Sequence, residues 1–233
     1  MATAVTPDDL DWVADALRRR REALVPHAPV FWRPAPDADA RHRSYLHHLL
    51  TDGGARAWRT SASVLIAAPA REGWLVDDFA CVEDGIELWN AFATACAGDE
   101  VRFVAPTYET ARAAHAATAG LEIAESWWLR ELDGSGGGTP GVEVDLPGAD
   151  AATVAAPPVY APPGPMLFLP SVTDGAALPD AVDRAPTLGC AGVVVSQRAG
   201  DQLDAALGDA GFRRHCDFFE GVVRAIDGGA RSR

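Results

Sequence analysis

Two stretches of this chain follow one outline. Residues 119–132 read AGLEIAESWWLREL, and residues 210–223 read AGFRRHCDFFEGVV. Each opens Ala-Gly-hydrophobic, runs through polar residues and reaches adjacent aromatics, Trp127-Trp128 in the first and Phe218-Phe219 in the second. Phe218 follows Trp127 by 91 positions, and the same offset sets Gly211 on Gly120 and Val194 of GVVVSQ on Phe103 of VRFVAP. Carried back, it sets Pro165, where MLFLP begins, on Trp74 of WLVDDFA. One turn slips, with Asp84-Gly85 matching Asp174-Gly175 at an offset of 90. A matching order of elements at one offset means that a supersecondary unit is written twice, which constrains architecture before any residue has a role.

The local patterns supply the elements of each unit. Residues 8–25 place Leu10, Val13, Ala14, Leu17 and Leu24 at helical spacing, with acidic residues in the first turn and Pro26 closing the helix. A proline-punctuated loop leads to a second helix over about 39–50, which ends at the Asp-Gly-Gly turn of residues 52–54. TSASVLIAAP and GWLVDDFACV read as a β-hairpin. Residues 85–97 read as a helix with Ile86, Leu88, Trp89, Phe92 and Cys96 inward. VRFVAP is a strand, YETARAAHAATA an alanine-rich helix, and LEIAESWWLREL one or two strands. The order over 1–133 is α-α-β-β-α-β-α-β, a mixed α/β layer fold. Residues 134–164, with GSGGG and PPVYAPPGP, read as a linker holding one strand at GVEVDL. Residues 165–233 then give β-α-β-α-β through MLFLP, 176–184, GVVVSQ, 200–209 and GFRRHCDFFEGVV.

Composition narrows the function classes. The 233 residues carry a net charge of −13, which argues against a nucleic-acid binder and suits cationic or neutral small molecules. No stretch approaches the ~20 apolar residues of a membrane span. The N-terminus MATAVTPDDLDWV is acidic where a secretory signal is basic, so a cytoplasmic protein is expected. All 20 basic residues are arginine, which reads as the codon usage of a GC-rich bacterium. Cys81, Cys96, Cys190 and Cys216 form no CxxC pair, and the histidines, His47-His48 included, show no ligand spacing, so no metal is expected. The run Arg18 to Arg21 reads as a solvated helix face. A homodimer is one assembly these features allow.

The ordered series WLVDDFACV, GIELWNAFATAC, VRFVAP and ETARAAHAATAGLEIAESWWLREL resembles the GNAT acyltransferase superfamily. The segments are similar to that family's fourth strand, the helix after it, its fifth strand, and the following helix with the last hairpin. The resemblance spans about residues 8–133 and implies a GNAT-like mixed sheet flanked by helices, with a truncated GNAT-like unit over 165–223. It implies acetyl-CoA bound where the fourth and fifth strands splay apart, with pantetheine along Phe79, Ala80, Cys81 and Val82. Pyrophosphate would lie at the turn holding Asp84, Gly85 and Ile86, where free amides and the helix dipole favour negative charge. That turn, Cys-Val-Glu-Asp-Gly-Ile-Glu, departs from the family pattern of a basic or glutamine residue with two glycines or small residues; it has one glycine and three carboxylates.

The resemblance also implies a base on the fourth strand, where Asp77 and Asp78 point to opposite faces. The family's tyrosine acid falls on Ala116 here, leaving Tyr108, near the start of that helix, as the substitute and His115 as another. The second unit has no carboxylate on its strand MLFLP and is expected to pack against the first, covering a sheet edge. Two functions follow. One is an N-acyltransferase moving an acetyl group from acetyl-CoA to a small-molecule amine. The other is a non-catalytic GNAT-like protein that binds a ligand or partner with a degenerate cofactor turn.

Overall fold

A computed structural model describes residues 1–81, 85–133 and 136–224. The first half runs β1 (Thr3–Ala4), α1 (Leu10–Leu24), α2 (Ala38–Thr51), β2 (Arg56–Arg59), β3 (Val64–Pro69), β4 (Trp74–Val76), β5 (Phe79–Ala80), α3 (Gly85–Cys96), β6 (Glu100–Pro106), α4 (Thr110–Thr118) and β7 (Glu122–Glu131). The second half runs β8 (Ala149–Val154), β9 (Met166–Val172), α5 (Ala177–Arg184), β10 (Gly192–Arg198), α6 (Asp204–Asp209) and β11 (Arg213–Val222).

The helices form where the periodicity expects them. Three strands depart from the sequence reading. β1 and β2 are short additions at one edge, and β8 lies inside the segment read as a linker. GVEVDL makes only isolated bridges, at Glu143 and Leu146. The strand is instead Ala-Asp-Ala-Ala-Thr-Val, of which only Thr153 and Val154 have intrinsic strand preference. It is extended because the outer edge of β9 offers unpaired main-chain groups.

The strands form one sheet of eleven, in the order β1-β2-β3-β4-β6-β11-β7-β10-β9-β8, with β5 on β3. From β3 to β8 the order reads the same from either end once the halves are matched element by element. The last strands are exchanged. β11 pairs with β6 of the first half, β7 pairs with β10 of the second, and the two pair antiparallel at the centre. The second half therefore does more than cover an edge, because each half contributes a strand to the other's sheet.

The central register carries the 91-residue offset. Ser126 lies opposite Asp217, Trp127 opposite Cys216 and Glu125 opposite Phe218. Leu129 faces Arg213, and Glu122 faces Glu220. Each pair maps onto another at the same offset, so a local twofold axis passes between Ser126 and Asp217. Ser126 Oγ donates to Asp217 Oδ1 across that axis at 2.9 Å. Even the register shifts correspond, with Ala124 passed over on β7 and His215 on β11. Farther out the match slips: Phe219 faces Phe103, while Trp128 faces Val195 rather than Val194.

Strand alternation sends the two sets of side chains to two layers. Val101, Phe103, Ala105 and Phe219 pack under α3 and α4, and Leu167, Leu169, Val193 and Val195 pack under α5 and α6. On the opposite face α1 and α2 cover Val64 and Ile66. The proline-rich segment after α1 covers Val104, Leu129, Val194, Cys216 and Phe218. Among the described residues no helix is long and apolar enough to cross a membrane.

Trp127 and Phe218, the residues that revealed the repeat, touch one another with ring centroids 4.9 Å apart. A double-mutant cycle on Trp127→Ala and Phe218→Ala, read by urea unfolding, should give a coupling of about 0.5–1.5 kcal/mol. Strict additivity would remove this pair as a link between the halves.

Candidate functional site

The candidate site begins where parallel pairing stops. β4 follows β6 through Trp74–Val101, Leu75–Arg102 and Val76–Phe103, and no farther. Beyond Val76 the chain bulges at Asp77-Asp78. The pairing of β3 shifts by one residue between Ala68–Leu75 and Leu65–Phe79, which takes β5 away from β6. β6 continues to Pro106 alongside β11. The parting leaves main-chain carbonyls without ladder donors, and such groups need partners when buried.

Arg112 of α4 supplies the donors. Its side chain is 1% exposed and crosses the splay. Nη1 donates to the Phe79 carbonyl at 2.9 Å, and Nη2 donates to the carbonyls of Asp77 at 2.6 Å and Val76 at 3.3 Å. The guanidinium lies over the rings of Phe103 and Phe79, 5.1 and 5.7 Å from their centroids. Its Nε–H is buried without an acceptor among the described residues. Burial, and next the neighbouring Arg20, bring the Arg112 pKa down to about 10.

Glu109, at the N-cap of α4, accepts from Arg20 Nε at 2.8 Å and Nη2 at 2.9 Å and lies 3.6 Å from Arg112. Arg20 Nη1 also reaches the Asp77 carbonyl at 3.3 Å. The basic run of α1 is thus divided by the helical turn. Arg18 and Arg19 pair with Asp15 and Glu22 at the surface, while Arg20 and Arg21 turn inward.

The two strand carboxylates have different surroundings. Asp78 accepts from His42 Nε2 at 3.3 Å. Arg21 donates to His42 Nδ1, so Nε2 must carry the proton, and Arg21 is held in turn by Asp39. Burial pushes the Asp78 carboxyl up, but His42, Arg20 and Arg112 outweigh it and the net shift is downward. Asp77 makes no side-chain hydrogen bond among the described residues, and its side chain reaches solvent. Crowding by the surrounding protein, then the charge of Asp78, raises its pKa against the opposing pull of Arg20 and Arg112. Because water still reaches the carboxylate, this is the effect of crowding at the surface and not of a dry core.

Tyr108 lies two residues before α4, not on it. Its hydroxyl is 3.3 Å from His215 Nδ1, its ring stacks on His27 at 4.5 Å, and desolvation raises its pKa. Among the described residues no hydrogen bond links it to Asp77 or Asp78. His215 is fully buried between Phe31 and Trp32, with centroids at 4.5 and 5.1 Å. Its Nε2 and Trp32 Nε1 are both buried without partners.

The described residues expected along the cofactor lie on and just after β5 and at the start of α3. Phe79 is buried against Phe103 and His115, Ala80 pairs with Val64, and Cys81 is half-buried. Gly85 is the buried first residue of α3, and Ile86 is 44% exposed. Val82 and Asp84 lie outside the described residues. A Cβ on Gly85 would meet His115 Nε2 at 2.6 Å and Cys81 Cβ at 3.1 Å, so α4 closes against this end too. As arranged, the splay does not fit a pantetheine arm, because the acceptors its amide N–H groups would use are held by Arg112.

The second half matches this packing, with Gly175 against Ala206, but its turn amides are engaged. Thr173 and Asp174 N–H donate to the Gly148 carbonyl, and Ala176 N–H donates to Asp174 Oδ1. Its counterpart of Arg112 at the same offset is Leu203, packed in the α5–α6 cluster. A cavity of about 680 Å³ lies at the far end of β6 and β11, among Glu72, Glu100, Arg102, Glu122 and Glu220, and none of the expected site residues lines it.

The chain is thus a mixed α/β layer fold in which two parallel strands part beyond a carboxylate-bearing bulge, with helices on both faces. The chain shares this fold with a proposed acetyltransferase from Thermoplasma acidophilum, at 10% identity over 95% of this chain and 99% of that one, with a TM-score of 0.58. A GNAT-family acetyltransferase from Colwellia psychrerythraea aligns at 11% identity over 96% of this chain and 100% of that one, with a TM-score of 0.48. A tandem GNAT protein from the clavulanic acid biosynthesis pathway aligns at 11% identity over 97% and 99%, with a TM-score of 0.49. No protein-family model matches the sequence, and no curated protein matches it at a significant level.

Burial first, then Arg213, lowers the His215 pKa from the ordinary 6.5 to about 3, so the folded protein holds it neutral. The unfolded chain binds the extra proton as pH falls below the ordinary value. Stability should therefore be lost between about pH 6.5 and pH 3, by up to about 1.4 kcal/mol per pH unit from this one group. In urea unfolding from pH 7 to pH 4, His215→Leu should lose stability less steeply than the parent. Parallel curves would overturn the assignment.

Proposed function

We propose that this protein is a GNAT-type N-acyltransferase that moves an acetyl group from acetyl-CoA to a small-molecule amine. Residues 1–133 form the catalytic unit and 165–233 a truncated second unit, joined by a segment that contributes β8. The observation that carries the reading is Asp77, a carboxylate at the point where the parallel strands part. Among the described residues its side chain makes no hydrogen bond, and its pKa is raised, the direction a base requires. Arg20 and Arg112 both grip the main-chain carbonyl of Asp77, which fixes the backbone from which the carboxylate is presented. Asp77 accepts the proton that an ammonium acceptor must lose. Tyr108, kept protonated by desolvation, is the candidate proton donor. The acidic net charge of −13 suits a cationic acceptor in the cytoplasm.

A second reading, a non-catalytic ligand- or partner-binding protein, is favoured by Arg112 across the splay. Acetyl-CoA separates the two. At 100 times Kd it adds about 2.7 kcal/mol of stability, which raises Tm by roughly 5–11 °C for a chain of this length. Thiol release with a panel of small amines should accompany the shift. Asp77→Asn should keep its Tm and lose about 10²–10⁴-fold in kcat/KM. Activity of the parent should fall as pH drops through the raised Asp77 pKa. The absence of both a Tm shift and thiol release with every amine would overturn the first reading and leave the second standing.

A further inference from the structure

We propose that Arg112 is an internal occupant of the splay, holding the main-chain positions an acyl-CoA pantetheine arm would take and withdrawing when acyl-CoA binds. This rests on the acyltransferase reading and follows from the disagreement between that reading and the closed cleft. A guanidinium and a pantetheine arm offer the same chemistry to a strand carbonyl, a planar N–H donor on a flexible stem. Arg112 uses two such nitrogens on three carbonyls, those of Val76, Asp77 and Phe79.

The occupancy is imperfect in ways that favour release. Among the described residues Nε–H has no acceptor, although the side chain is 1% exposed. Arg20 sets a second positive charge nearby, with Glu109 shared between the two. The guanidinium also has an alternative site, since Asp77, which makes no side-chain hydrogen bond among the described residues, is exposed at the same bulge. His115, one helical turn along α4, closes on Gly85, so a single movement of α4 clears both the splay and the start of α3. The second half, with Leu203 in the matching place, has no such device.

An occupant that must leave lowers apparent affinity by the fraction of molecules already open. Calorimetric titration with acetyl-CoA should therefore show measurable binding to the parent and at least about tenfold tighter binding to folded Arg112→Ala. Millimolar N-ethylguanidinium should raise the Tm of Arg112→Ala, compete with acetyl-CoA there, and leave the parent unchanged. Should Arg112→Ala fail to fold, Arg112→Lys, which keeps the charge but has a single donor nitrogen, should bind acetyl-CoA more tightly than the parent. Equal or weaker binding by the folded variants, beside a parent that binds, overturns the role of Arg112 and leaves the acyltransferase reading intact. No binding by parent or variants overturns both.

Discussion

The pairing of β7 with β11 is the contact on which the rest of the architecture depends. Each strand is covalently part of one half and hydrogen-bonded into the sheet of the other. Neither half has a complete sheet without its partner, since β6 would lose β11 and β10 would lose β7. The exchange leaves only short or outlying strands, β1 and β8, at the ends of the eleven-stranded sheet. Long unpaired edges invite association, and this topology uses them internally. The buried Ser126–Asp217 hydrogen bond sits at the symmetry point, where a polar pair fixes register more sharply than apolar contact would.

The same sheet creates the demand met at the candidate site. Where β4 and β5 part from β6, the carbonyls of Val76, Asp77 and Phe79 lose their ladder donors, and the chain supplies a charged side chain from α4 in their place. Burying a guanidinium is unfavourable unless its donors are satisfied and counter-charge is near. The carbonyls of β4 and β5, together with Glu109, provide both. The network also separates two adjacent carboxylates into different roles. Asp78 is bound through His42, Arg21 and Asp39 to α1 and α2, while Asp77 makes no side-chain hydrogen bond among the described residues.

Much of this was legible along the chain. Helical spacing located α1 to α6, turn residues separated the strands, and the 91-residue offset marked the residues that meet at the twofold axis. Asp77 and Asp78 were singled out by the resemblance of WLVDDFACV to a fourth strand that carries a base. Arg112 was missed inside an alanine-rich helix, although its spacing to Ala116 places both on the buried face. A long charged residue on an otherwise small, inward stripe was the available signal. Arg20 was hidden in a run of four arginines that differ only in helical phase. His215 gave no local sign, since its burial comes from the loop carrying Phe31 and Trp32.

The sequence by itself determined the order of the elements, the 91-residue offset between its two halves, and the carboxylates that follow β4. Periodicity and turn chemistry are local, and they act the same way wherever a strand finally lies. Only the tertiary structure decided which sheet each last strand joins, that Ala149–Val154 becomes an edge strand, and that Arg112 occupies the splay. An unpaired strand edge or carbonyl is satisfied by whatever donor lies beside it in space. For β7, β8 and the β4–β5 carbonyls, that partner comes from far along the chain.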